Sequence, residues 1–80
     1  MQINGFMETK GKSKITIAFD GNTETTVWSG KCTEERLQLR FEDAIKAQIV
    51  EHQKNPRNCL LRAYNEVGQI VGHETFHGSD

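Results

Sequence analysis

Residues 33–54, TEERLQLRFEDAIKAQIVEHQK, decide how this chain is read, because they are the one long segment with a helical period between segments that alternate. At about 100° per residue, Leu37, Phe41, Ala44, Ile45, Gln48 and Ile49 fall within one broad arc, the pattern of a helix with a single buried stripe. Thr33 suits the N-cap, and Glu34 and Glu35 set negative charge against the first-turn amides, where the helix dipole favours it. Arg36 stands where a reciprocal capping box would need Glu or Gln. At the far end Asn55 precedes Pro56, whose ring disfavours helical geometry in the residue before it, so the helix stops there. Leu39 and Val50 lie about 200° and 220° from Leu37, beside Glu42, Asp43 and Lys46, and are expected in solvent. They are either ordinary surface hydrophobes or part of a partner-binding face.

An amphipathic helix needs a sheet beneath it, and the flanking segments supply strands. Met1–Thr9 carries Ile3, Phe6 and Met7 and reads as a first strand with blurred alternation. From Lys14 to Phe19, Ile15, Ile17 and Phe19 face one way and Lys14, Thr16 and Ala18 the other. Asp20-Gly21 is a strong hairpin signal, and Thr23 to Trp28 is the β-branched return. After Pro56, Cys59–Tyr64 and Gln69–Phe76 form a second hairpin around Asn65, Glu66, Val67 and Gly68. Regular pairing across that loop sets Ala63 opposite Ile70 and Leu61 opposite Gly72 on the core face, with Gly72 beneath the helix. Arg62 then meets Val71, and Leu60 meets His73, on the other face. The expected architecture is α+β in the order β-β-β-α-β-β: an antiparallel sheet of four to five strands with one long helix across one face, all in a single domain spanning residues 1–80. Residues 77–80 read as a flexible tail.

Eighty residues hold one small core, and a hydrophobic content of 35% with a mean hydropathy of −0.65 predicts modest stability. Ten basic against eleven acidic side chains, interspersed along the chain, argue against a dedicated nucleic-acid binder, which ordinarily carries a basic excess on one face. No apolar run is long enough for a signal peptide or a membrane span, so a cytoplasmic location without membrane partners is expected. Cys32 and Cys59 flank a helix of about 33 Å, which five residues retracing at most about 17 Å cannot bring within the roughly 7 Å of a disulfide. Two free thiols follow, in keeping with a reducing compartment.

Two short motifs imitate enzyme signatures. His73–His77, HETFH, matches the metallopeptidase pattern, but that chemistry needs both imidazoles on one helical face, and the glycines at 68, 72 and 78 make this segment a strand. Gly11-Lys12-Ser13 resembles the end of a phosphate-binding loop, yet Phe6 occupies the earlier glycine position and a strand follows. No catalytic residue, metal ligand or cofactor is assigned, and the chain is not expected to be an enzyme.

The expected function is a non-enzymatic protein-binding module, an inhibitor or regulator of a larger macromolecule; small inhibitors encoded by phages and mobile elements share this general character. The candidate contact residues are Leu60, Arg62, Tyr64, Val71 and His73 on the open sheet face, with Leu39 and Val50 on the outer helix face. The terminal strand, without Pro or Lys to guard its edge, could also support a homodimer. One alternative is nucleic-acid binding through the open face, with Tyr64 and Trp28 stacking and Lys10, Lys12, Lys14 and Arg62 meeting phosphates. A more remote one is a metal-dependent hydrolase using HETFH.

Overall fold

The alternating run around Ile15 and Ile17 forms strand β1, Ser13–Phe19, and its return forms β2, Thr25–Gly30. Helix α1 is Glu34–Lys54, and the second hairpin comprises β3, Cys59–Tyr64, and β4, Ile70–Phe76. A computed structural model of the chain describes residues 11–78. The strand expected within Met1–Thr9 therefore lies outside the described residues, whose order is β-β-α-β-β. The fold is α+β, with a four-stranded antiparallel sheet ordered β2-β1-β3-β4. β2 and β3 thus run parallel with β1 between them, and α1 joins them across one face.

Local chemistry accounts for the ends of these elements. Asp20 and Gly21 both have positive φ, 53° and 76°, and the Asn22 N–H donates to the Phe19 carbonyl at 2.8 Å. That is the tight turn whose twist matches a hairpin. β2 joins the ladder at Ile17↔Thr25, two residues later than expected, and continues past Trp28 to Gly30. Thr33 caps α1 by accepting from the Arg36 N–H at 3.1 Å, and the Asn55 N–H closes the last turn on Glu51 at 2.9 Å.

Leu37 and Phe41 are buried with Ile15, Leu61 and Ala63, and Ile17, Trp28, Cys32, Ala44, Ile45 and Phe76 pack around them. Leu39 and Val50 are exposed, as the wheel predicts. Ile49 corrects it: at 42% exposure it lies outside the core. Its direction, about 80° beyond that of Phe41 on the wheel, puts it on the flank of the stripe.

Beneath the helix one row of side chains crosses all four strands: Trp28, Ile15, Ala63, Gly72. The Phe41 ring takes the space that a side chain at Gly72 would need, since a Cβ there would sit 3.0 Å from Phe41 Cε2. Glycine lets the helix approach this end of the sheet.

The second hairpin departs from regular pairing. Asn65 organises its loop: Oδ1 accepts from the Val67 and Gln69 N–H groups at 3.1 and 2.9 Å, and Gly68 closes the turn with φ +86°. Asn65 pairs with Gln69 and Tyr64 with Ile70, one step from the expected register; a bulge at Val71 adds a second step, so Ala63 meets Gly72 and Arg62 meets His73. A single slip exchanges faces and a second restores them. Ile70 consequently lies on the open face opposite Tyr64, whereas Gly72 and His73 keep the faces assigned from the sequence. A matching bulge at Val27 interrupts β2, at the level where Ile15 pairs with Ala63.

Candidate interaction surface

Three rows cross the sheet on the face opposite α1: Lys14, Tyr64 and Ile70; Thr16, Arg62 and His73; Ala18, Leu60 and Thr75. Four of the expected open-face residues, Leu60, Arg62, Tyr64 and His73, lie there. Val71 does not, because its bulge turns it toward the cleft between α1 and β4, which it lines with Leu37, Phe41 and Gly72. Leu39 and Val50 are exposed on the helix, away from this face.

Arg62 and Tyr64 are not free anchors. Glu24, between the first turn and β2, forms an ion pair with Arg62 and accepts from the Tyr64 hydroxyl at 2.8 and 3.0 Å. Arg62 also donates to the Tyr64 oxygen at 3.3 Å, and Lys14 Nζ stands 5.0 Å from the centre of the tyrosine ring. The Tyr64 hydrogen bond, seconded by the charge of Arg62 and opposed by partial desolvation, holds the Glu24 carboxyl below its ordinary range. Arg62 is held still more firmly in its charged form, first by Tyr64 and then by Glu24. Sequence reading missed Glu24. It stands among threonines with no local partner, and only the pairing of distant strands brings it to Arg62.

This cluster also bears on the nucleic-acid residues. Of the set Lys10, Lys12, Lys14, Arg62 and Tyr64, the sheet brings together Lys14, Arg62 and Tyr64, but Glu24 compensates the guanidinium. Lys12 is exposed ahead of β1, and Lys10 lies outside the described residues. Trp28 belongs to the helix face, covered by the Arg40 guanidinium 4.4 Å from its ring, so it cannot stack bases on the open face.

The two enzyme-like motifs lie in or lead into strands. HETFH runs along β4 and just past its end: His73 lies on the open face beside Arg62, and Glu74 on the helix face beside Leu61. Gly11-Lys12-Ser13 leads directly into β1, with Ser13 buried in the strand. Both cysteines are free thiols; Cys59 is buried, and desolvation pushes its thiol up. Among the described residues no helix is long and apolar enough to cross a membrane.

What the geometry leaves available is the outer side of the second hairpin. Among the described residues β4 has a sheet neighbour on one side only, and Val67, Ile70 and Val71 are exposed apolar side chains on its loop and at the start of the strand. The β4 edge is less bare than its composition suggests, because the Val71 bulge breaks its regularity. The straight part is Gly72–Phe76. Compared with protein-family models, with curated proteins and with solved structures, the chain finds no match.

Proposed function

We propose that this chain is a non-enzymatic protein-binding module that recruits its partner through the β3–β4 hairpin, acting as a regulator or inhibitor by occupying the surface it binds. One observation carries the reading: the strand edge that has no neighbour among the described residues and the exposed aliphatic residues Val67, Ile70 and Val71 fall on the same hairpin. A strand edge supplies unpaired backbone donors and acceptors, and aliphatic groups beside it supply the apolar area that association requires. The open face contributes Leu60 and His73 nearby, whereas Arg62 and Tyr64 serve mainly to hold Glu24.

The test is affinity capture with the tagged full chain, with and without nuclease, comparing wild type with the Ile70→Lys/Val71→Lys pair. The expected result is a partner that survives nuclease and falls at least about tenfold with the pair, as loss of anchoring contacts implies, while the thermal melt is kept. Release by nuclease would transfer the function to the face bearing Lys14. Loss on Leu39→Asp/Val50→Asp instead would move the interface to the outer helix face.

A further inference from the structure

The two edges of the sheet are finished differently. On the β2 side the row beneath the helix ends in Trp28, and the recess there, about 300 Å³, is bordered by Arg40 and Asp43, one charge of each sign. On the β4 side the same row ends in Gly72. There a cleft of about 500 Å³ runs between α1 and β4, with Leu37, Phe41, Ile45 and Val71 among its walls. Its ionisable lining consists of Glu34, Glu35, Glu42 and His73; neither Lys nor Arg lines it among the described residues.

We infer that the outer edge of β4 receives an extended protein segment in which an aliphatic residue is flanked, two positions away on each side, by Lys or Arg. This deepens the proposed function and rests on it. In an added strand, residues i, i+2 and i+4 share a face, and i and i+4 are about 13 Å apart. Glu34 and Glu42, eight residues apart on α1, are separated by about 12 Å along the helix. The aliphatic side chain seats over Leu37 and Phe41, which lie between Glu34 and Glu42 on α1, and the two cations meet the carboxylates at either end. The alternating side chains fall on the open face near His73 and Thr75. A second copy of this chain fits poorly, because β4 contains neither Lys nor Arg and its own cleft would bring more carboxylates.

Two peptides of alternating threonine test this, both with central valine, one with lysine and the other with glutamate two positions to either side. Each is titrated into the isotope-labelled full chain while amide exchange is followed. The expected result is binding at least about tenfold tighter for the lysine peptide, weakening in about 0.5 M salt. Slower exchange is expected at amides of Gly72–Phe76, and the preference should be lost in Glu34→Lys/Glu42→Lys and reduced in the milder Glu34→Gln/Glu42→Gln. Equal protection of β4 by both peptides would overturn the basic segment but leave strand addition standing. No protection by the lysine peptide would overturn the inference; a captured partner still dependent on Ile70 and Val71 would then preserve the proposed function.

Discussion

Gly72 and Phe41 form the contact on which the helix seat depends. Gly72→Ala places a methyl against the Phe41 ring; it is expected to cost about 1–3 kcal/mol in urea titration, with much of the loss recovered when Phe41→Leu is added. Phe41→Ala alone is expected to cost about 3–5 kcal/mol, Ile45→Ala about 2, and exposed Leu39→Ala about 0.5. Similar losses at Leu39 and Phe41 would mean that the helix buries another face. The sequence marks Gly72 and Phe41 separately, one as a strand glycine and one as a helix knob. Arg62 and Tyr64 were conspicuous as residue types, but their acceptor Glu24 lies 38 and 40 residues away, and no local pattern joins residues so far apart.

Among the elements, α1 was the most legible, since its cap, its stop and most of its stripe depend on nearest neighbours. The register of β4 was not. Its second slip occurs at Val71, a β-branched residue with none of the φ > 0 tolerance that announces a bulge, and only the resumed pairing of Gly72 with Ala63 reveals it. The loop that causes the first slip hangs on Asn65, so Asn65→Ala, which removes the acceptor for two backbone N–H groups, is expected to destabilise the chain by about 1–2 kcal/mol and to speed amide exchange in the loop. Glu24 couples the first hairpin to β3 in a pH-dependent way. Its carboxyl is depressed below 4.5 in the folded chain, so its contribution is complete above that ordinary value and is lost as pH falls through the depressed one. Carboxyl-carbon titration of Tyr64→Phe should find Glu24 moved back up toward 4.5, because the largest cause of its shift is gone. In Glu24→Gln the acid limb of the unfolding midpoint against pH should flatten.

Across the whole molecule, fold class was legible because a helical period between two alternating pairs admits few arrangements. The function was less so: the distinguishing features of the β4 side, a cleft and its one-signed lining, arise from how α1 lies on the sheet. The two thiols report on this molecular scale. Cys32 is half-buried and Cys59 is buried in the sheet, so iodoacetamide should modify Cys32 first, with Cys59 following only at the rate at which the core opens. Simultaneous modification would mean that β3 opens locally. The tapered row beneath the helix has a spectroscopic corollary. The chain's single indole occupies the end remote from β4, beneath Arg40. Its fluorescence therefore follows the lifting of α1 from β2 and is nearly blind to a strand arriving at the opposite edge. An emission trace that stays flat through a peptide titration would be the normal signal of an occupied β4, and an assay built on tryptophan emission would score a bound chain as empty.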